Sequence, residues 1–171
     1  FELTKVANYE FMSIKQGKYS EAKWSYPKLI SKNEVIQKIS NKLSDRMKPQ
    51  IQEYQKDAKE GFMEDVITST WLFTYDYSIE YYSEELISFT GLVYSYTGGA
   101  HGNTYFVSSN YSIEDEESKL LKLSDLFRND SKYVKTLSDL IIMNLKKQKA
   151  GWVVDGTIKS LKEDEIGPFA L

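Results

Sequence analysis

The sequence predicts an α+β domain in which an antiparallel β-meander carries two long helices packed on one face. Two stretches repeat apolar residues at the three- and four-residue steps of an amphipathic helix, whereas several others alternate with the two-residue period of a strand. Glycines, prolines and acidic clusters separate these stretches as turns. With 171 residues, 41% of them hydrophobic, the chain is expected to form one domain over residues 1–171.

The first predicted elements are two strands of a hairpin. Residues 3–15 alternate loosely between polar and apolar side chains, and residues 16–18 supply a turn with a central glycine. A second strand over residues 19–26 completes the hairpin. We expect it to stop at Pro27, because proline lacks the N–H that a strand ladder uses.

The longest predicted helix follows this hairpin. Its apolar residues recur at helical spacing from Val35 to Tyr54, and Asn33 stands before them as a candidate N-cap. Pro49 either kinks this helix or opens a second one at its first position. Gly61 is expected to end the helical segment.

Strict alternation then predicts a long strand from Val66 to Tyr81, followed by a turn at residues 83–85 and strands over residues 86–96 and 104–113. The glycine-rich segment T-G-G-A-H-G-N, residues 97–103, links the last two strands as the apex of a hairpin. Gly98, Gly99 and Gly102 are candidates for positive φ there. The residues expected on the buried face of the first of these strands are Ile67, Trp71, Phe73, Tyr75, Tyr77, Ile79 and Tyr81.

The C-terminal third is predicted to contain the second long helix. The acidic residues 114–117 form a solvated hairpin turn, because a calcium loop needs alternating ligands and a glycine. Residues 121–127 make a short apolar segment in which Ser124 caps a helical turn, and the helix begins at Asp130 or Ser131. Its inner face is expected to carry Tyr133, Val134, Leu137, Leu140, Ile141, Asn144 and Leu145.

The charges are distributed unevenly along the chain. The net charge is −3, yet residues 61–118 contain ten Asp and Glu and no Lys or Arg. An acidic surface of this kind repels phosphate backbones, so we expect no nucleic-acid partner and favour a cationic one.

Candidate catalytic residues are few. His101 is the only histidine and cysteine is absent, so a catalytic triad or a zinc site has no partners at a recognisable spacing. We predict no catalytic residue, no metal and no cofactor, and expect the imidazole to bond nearby backbone carbonyls in the turn. The remaining enzymatic option, a carboxylate pair for glycoside hydrolysis, has to draw on Asp76, Glu80, Glu84 and Glu85.

Tyrosines are concentrated in the same acidic stretch, which holds eight of the thirteen. About half should be buried, because one face of each strand must be. Exposed tyrosines favour protein interfaces or stacking on sugar rings, since they offer large contact area and a polar tip. Trp71 and Trp152 are further candidates for sugar stacking.

Three motifs occur in an order that resembles a known domain family. They are S-Y-P-K-L at residues 25–29, Y-S-Y-T-G-G-A-H-G-N at residues 94–103 and L-K-L-S-D-L-F at residues 121–127. They are similar to motifs of the extracytoplasmic domain of the bacterial anti-sigma factor RsiV, a family also found beside the catalytic domain of some peptidoglycan deacetylases. The resemblance covers roughly residues 5–150.

The C-terminus departs from that family. E-I-G-P-F-A at residues 165–170 resembles a loop of the family, but residues 155–164 are too polar for the strand that usually precedes it. We therefore expect either a shortened member, lacking its usual C-terminal strands, or a domain of which part lies outside this sequence.

The resemblance implies a bacterial, extracytoplasmic domain that meets the membrane only through an anchor absent from this chain. It implies a non-enzymatic binding or sensor domain whose partner is lysozyme or another cationic, cell-wall-directed protein. The alternative is a module that binds peptidoglycan or other cell-wall glycan and is accessory to a cell-wall enzyme. The binding residues expected from the motifs are Tyr94, Tyr96, Gly98, Gly99, His101, Asn103, Tyr105, Pro168 and Phe169.

Overall fold

Six strands form one sheet in which the spatial order of the strands follows the chain. The computed structural model describes residues 7–63, 69–114 and 116–171. The strands are β1 (Ala7–Gln16), β2 (Ser20–Leu29), β3 (Trp71–Tyr82), β4 (Leu86–Tyr96), β5 (Asn103–Glu114) and β6 (Glu117–Leu120), and the helices are α1 (Glu34–Met63), α2 (Tyr133–Lys147) and α3 (Gly151–Val154). The predicted α+β class is confirmed.

The sheet combines two antiparallel parts through one parallel pair. β1 pairs with β2 and β3 to β6 pair in sequence, all antiparallel, but β2 and β3 run parallel. The meander therefore starts at β3. The physical reason is that α1 lies between β2 and β3 and acts as a crossover, which returns the chain to the same end of the sheet.

The β1–β2 hairpin turns at Gly17, whose φ is +53°, and the backbone N–H of Tyr19 donates to the Gln16 carbonyl at 3.0 Å. The expectation that β2 stops at Pro27 is wrong, because β2 continues to Leu29. Pairing with β3 covers only residues 20–25 of β2. Pro27 thus lies beyond the parallel ladder, where one side of the strand needs no donor.

Helix α1 begins as predicted and ends later. The side-chain Oδ1 of Asn33 accepts from the Val35 N–H at 2.9 Å, which confirms the N-cap. Pro49 lies inside one helix rather than opening a second. The predicted end at Gly61 is wrong, since the helix continues to Met63. The apolar face persists past the proline, with Ile51 and Ala58 buried, and tertiary packing outweighs the local breakers.

The core lies between α1 and one face of the sheet. α1 contributes a buried stripe at helical spacing, and the strands contribute alternate residues. The largest fully buried apolar side chains of this core are Ile36, Ile39, Leu43, Met47, Ile87, Phe89 and Val93.

Strand β3 confirms most of the predicted buried face, namely Phe73, Tyr75, Tyr77 and Ile79. Tyr81 was expected beside them, but 46% of it is exposed. The register shifts between Ile79 and Tyr81, and such a bulge moves every later side chain to the other face. Val66 and Ile67 lie outside the described residues.

By compactness the chain divides into two units, one ending at Leu121 and including Phe169–Leu171, the other covering residues 122–168. The second unit contains a 3₁₀ turn (Leu123–Leu126), α2, α3 and another 3₁₀ turn (Glu163–Glu165). Within the first unit α1 packs on the sheet, and within the second unit α2 contacts α3. No helix in the described residues is long and apolar enough to cross a membrane.

Two local predictions in the second unit are wrong. Ser124 does not cap the 3₁₀ turn; instead the Asp125 carboxylate accepts from the backbone N–H of Lys122 at 2.8 Å. Leu140 and Asn144 are exposed rather than inward-facing. The buried residues of α2 are Ser138 and Ile142. The Ser138 hydroxyl accepts a hydrogen bond from the backbone N–H of Leu161 at 2.8 Å.

Candidate functional site

The predicted hairpin apex lies between β4 and β5, and Gly98 is the residue there that requires glycine for its backbone. Its φ is +86°, a value that other residues adopt at a cost. The expectation of positive φ at Gly99 and Gly102 is wrong. One residue in the left-handed region is enough to reverse this hairpin.

Gly102 is required for a different reason. A Cβ at this position would overlap the ring of Tyr94, so the missing side chain lets the ring pack against the backbone. A Cβ at Gly99 would meet nothing within 4 Å. Of the three apex glycines, Gly99 is therefore the one that the local geometry leaves free to change.

His101 is exposed at this apex, and its Nδ1 lies 3.2 Å from the carbonyl oxygen of Gly102. This contact agrees with the expectation that the imidazole bonds a nearby carbonyl. Within the described ranges, no group of three His, Asp or Glu side chains is placed to hold a metal ion.

Gly98→Ala is expected to destabilise the hairpin by about 1 kcal/mol or more, because alanine at positive φ places its Cβ against a carbonyl. Gly99→Ala and His101→Ala are each expected to change the free energy of unfolding by less than about 1 kcal/mol. Urea denaturation of the three variants checks this order. Equal losses at Gly98 and Gly99 would contradict it.

A groove runs beside the apex, between the second half of α1 and the ends of β3, β4 and β5. Its volume is about 420 Å³, which lies in the range of small-ligand sites. α1 supplies residues spaced for one helix face, and the strands supply the opposite wall. The lining residues are Gln50, Glu53, Tyr54, Asp57, Trp71, Phe73, Ser95, Thr97 and Tyr105.

Three aromatic rings are packed together along this groove. The ring centroids of Tyr54 and Trp71 are 5.2 Å apart, and those of Tyr54 and Phe73 are 5.1 Å apart. Tyr105, 46% exposed, lies on the same face of the sheet, because its strand partner Val93 is in the core. The groove thus offers apolar ring surface that solvent reaches.

The Tyr54 hydroxyl fixes the helix to the strand ends. It is shared between the carbonyl oxygens of Leu72 at 2.7 Å and Tyr96 at 2.5 Å. Burial raises the pKa of Tyr54, so the hydroxyl stays protonated and remains a donor. This residue therefore holds the groove in shape and has no free proton for a ligand.

The rim of the groove is acidic. Glu53 and Asp57 are exposed on α1, one turn apart, and neither forms an ion pair within the described part of the chain. The described lining contains no lysine or arginine. The groove can therefore accept hydrogen bonds from hydroxyl or ammonium groups and stack a sugar ring on its aromatic side chains.

The structure separates the predicted binding residues. Tyr105 lines the groove, and the carbonyl of the half-buried Tyr96 accepts from Tyr54 beneath it. Tyr94 points to the other face of β4, where it packs on Gly102. Exposed Asn103 begins β5 as the strand partner of Ser95.

Phe169 lies away from the apex. Pro168 is exposed at the end of the second unit. The backbone N–H of Phe169 donates to the Ser108 hydroxyl at 3.1 Å, on the face of β5 opposite Tyr105 and about 10 Å further along the strand. These two residues are thus not part of the groove.

The carboxylates considered for glycoside hydrolysis have ordinary hydrogen bonds. Asp76 accepts from the Ser25 hydroxyl at 2.8 Å. Glu80 accepts from Thr90 and from Ser78, and these bonds, Thr90 first, lower its pKa. Glu84 and Glu85 are exposed in the β3–β4 turn.

The acidic stretch is less isolated in space than in sequence. Arg46 of α1 donates to the Ser109 hydroxyl at 2.6 Å, and Lys42 donates to the Ser118 hydroxyl at 2.6 Å. Helix α1 thus brings two cations onto β5 and the start of β6. The Lys- and Arg-free run of sequence is not a cation-free surface.

Sequence reasoning found Trp71 and Tyr105 from their aromatic character but missed the α1 wall of the groove. The spacing of Gln50, Glu53 and Asp57, at i, i+3 and i+7, does place them on one helix face. No local sequence pattern indicates that this helix face packs against the ends of β3 to β5. That meeting follows from the parallel placement of β3 beside β2.

Comparison with protein families gives one relevant match. The family model described as Deacetylase PdaC matches residues 14–104, more than half of the chain. The peptidoglycan-N-acetylmuramic acid deacetylase PdaC of Bacillus subtilis (strain 168) is 27% identical over 161 residues. The alignment covers 92% of this chain but 33% of that protein, so the chain spans about a third of its curated relative.

A solved structure is similar in fold. A DUF3298 family protein from Pseudomonas aeruginosa PAO1 superposes with a TM-score of 0.54 at 17% identity, covering 90% of this chain and 73% of that one. This similarity concerns the fold alone. A DUF3298 family member from Bacteroides fragilis gives a TM-score of 0.46 at 15% identity, over 90% and 70% of the two chains.

Proposed function

This chain belongs to the Deacetylase PdaC family, and from that premise we propose that it is a cell-wall glycan-binding domain accessory to a peptidoglycan-modifying enzyme. The observation that carries the proposal is the groove beside the apex, where aromatic rings and unpaired carboxylates lie together. We place the domain outside the cytoplasm, where peptidoglycan is found. The similarity to RsiV itself stays a prediction.

The chemistry of the groove suits a sugar ring. The apolar face of a pyranose packs on aromatic side chains, here Trp71 and Tyr105, while its hydroxyls donate to carboxylates. The ring of Tyr54 packs on Trp71 and is itself packed on Phe73, so the platform needs little ordering when a ligand binds. A volume of about 420 Å³ admits one or two sugar units.

A binding role agrees better with the side chains than a catalytic one. His101 is exposed at the apex and outside the groove lining. The groove carboxylates lie on a solvent-exposed helix face and are not enclosed at a reacting centre. We propose that catalysis belongs to the enzyme to which this domain is accessory.

Removing one aromatic ring tests the proposal. Tyr105→Ala is expected to weaken binding to purified, insoluble peptidoglycan about tenfold, since a stacking contact contributes roughly 1 kcal/mol beyond its buried area. Trp71→Ala is expected to do the same or more. Co-sedimentation over a range of peptidoglycan concentrations gives the dissociation constants, and circular dichroism checks folding.

Phe106→Ala is the matched control. Phe106 follows Tyr105 in β5 and is 62% exposed, but it faces the opposite side of the sheet. Its removal should leave binding unchanged. Peptidoglycan that sediments without the parent protein would overturn the proposed function, and equal losses in the Tyr105 and Phe106 variants would remove the groove as the site.

The second candidate function is binding of lysozyme or another cationic protein. The absence of Lys and Arg from residues 61–118 favours it, although Lys42 and Arg46 of α1 reduce the charge asymmetry. Such binding should weaken strongly as salt rises, whereas stacking on neutral sugars should change little. A titration with lysozyme at low salt that shows no binding would exclude this candidate.

A further inference from the structure

We infer that the groove prefers glycan segments with free, protonated amino groups over fully N-acetylated ones. The inference rests on the proposed function, because it specifies which form of the glycan the same groove takes. It follows from the charge and hydrogen-bonding character of the lining rather than from the size of the groove.

The charged groups of the lining are acceptors. Glu53 and Asp57 stand at positions i and i+4 of α1, a separation that places their side chains on the same helix face above the rings. The adjacent helical cation, Lys56, is 3.9 Å from Glu60 and lies outside the lining. Two carboxylates therefore face the groove without a neutralising partner among the described residues.

The donors of the groove are all uncharged. The Tyr54 hydroxyl is committed to the carbonyls of Leu72 and Tyr96, and the indole N–H of Trp71 is buried. The remaining donors are the Gln50 amide and the hydroxyls of Ser95, Thr97 and Tyr105. An N-acetyl group presents a carbonyl that needs a donor and a methyl group that needs an apolar recess. An ammonium group presents three donors, which two carboxylates can accept with charge assistance.

The aromatic side chains add to the same preference. A cation near the face of a tryptophan or tyrosine ring is attracted by the negative face of the ring. Trp71 and Tyr105 lie in the same lining as the two carboxylates, so a single ammonium group can approach both kinds of partner. A neutral amide gains neither attraction.

The preference has a consequence for a deacetylase that carries such a domain. N-deacetylation is an amide hydrolysis in which the C–N bond breaks, the oxygen of water joins the acyl carbon and the nitrogen takes the protons as an amine. Acetate leaves, and the amine stays on the glycan as an ammonium group. The groove would therefore hold the product strand and keep the enzyme beside segments already modified.

The test compares two matched soluble probes by titration calorimetry: the β-1,4-linked tetramer of N-acetylglucosamine and the corresponding tetramer of glucosamine. At low salt the amine form is expected to bind at least tenfold more tightly. This difference in affinity should shrink in 0.5 M salt, because the salt screens the attraction between the ammonium groups and the carboxylates. The Debye length falls to about 3 Å near 1 M salt.

The double variant Glu53→Gln, Asp57→Asn should lose the preference, so that it binds the two tetramers with similar affinity. Glu60→Gln is the control, since Glu60 is exposed on α1 outside the lining. Tyr105→Ala should weaken binding of both tetramers. Retention of the preference by the double variant, or amine binding that Tyr105→Ala leaves intact, would overturn the inference.

The outcomes separate this inference from the proposed function. Equal affinity for the two tetramers would overturn the amine preference and leave glycan binding in place. Absence of binding to either tetramer, together with failure to sediment with peptidoglycan, would overturn both.

Discussion

Gly91→Ala is expected to lower the free energy of unfolding by about 2 to 3 kcal/mol, the upper part of the range for overpacking a core. Gly91 is buried in the middle of β4, and a Cβ there would lie 2.7 Å from Cγ2 of Val107 and 2.9 Å from the ring of Tyr75. Real Cβ atoms do not approach other atoms so closely. The missing side chain makes the space in which these neighbours pack.

The neighbours of Gly91 have little room to yield. Tyr75 is buried, and its hydroxyl donates to that of Tyr77 at 2.9 Å, which ties the two rings together. Burial raises the pKa of Tyr75, so this donor keeps its proton at neutral pH. Moving either ring would disturb the aromatic row along β3.

Urea denaturation measures the loss at Gly91. Gly99→Ala, where a Cβ meets nothing within 4 Å, is the matched control and should change the free energy by less than about 0.5 kcal/mol. Adding Val107→Ala removes the closest clash and should restore part of the stability lost in Gly91→Ala. Equal stability of the Gly91 and Gly99 variants would contradict the close packing of Val107 and Tyr75 around Gly91.

Asn110→Asp is expected to destabilise the protein by about 3 kcal/mol at neutral pH, because it places an unpaired charge in a buried site. Asn110 is 1% exposed, and its Oδ1 accepts from the Ser88 hydroxyl at 2.6 Å. Its Nδ2 donates to the Phe169 carbonyl at 2.8 Å. An aspartate carboxylate still accepts the hydrogen bond from Ser88. It cannot donate to the Phe169 carbonyl, so its negative charge lies against that oxygen instead.

The loss at Asn110→Asp should depend on pH. Burial raises the pKa of the new carboxyl above its unfolded value near 3.9, so the native state binds the proton more tightly than the unfolded state does. The stability difference from the parent should therefore be smallest below about pH 4 and should grow as pH rises through the folded pKa. A protonated carboxyl can again donate to the Phe169 carbonyl.

Denaturation of parent and variant at matched pH values gives this difference. Asn103→Asp is the control, since Asn103 is exposed on the same strand and should show little change. Hydrogen exchange provides a second measurement. The amides of Phe169 and Leu171, which donate to Ser108 and Ser88, should exchange faster in the Asn110 variant. A deficit that does not vary with pH would contradict the buried charge as its cause.

The sequence by itself determined the elements whose causes are local. The Asn33 cap, the 3.6-residue stripe of α1, the Gly17 turn and the alternation of β3 to β5 depend on residues close together in the chain, and each was predicted. The glycine-rich apex was found for the same reason. Gly98 could not be distinguished from Gly99 and Gly102, since φ depends on how the turn closes.

Only the tertiary structure decided the features that join distant segments. The parallel pairing of β2 with β3 follows from where α1 crosses the sheet, and it brings Glu53 and Asp57 to the ring of Trp71. The C-terminal Phe169 was predicted as a binding residue together with those of the apex, and its backbone is bound through Ser108 and Asn110 on the face of β5 opposite Tyr105. Residue patterns specify which face of a helix or strand is apolar. Long-range packing decides which of these elements contact each other, and the groove forms only where α1 contacts the ends of β3 to β5.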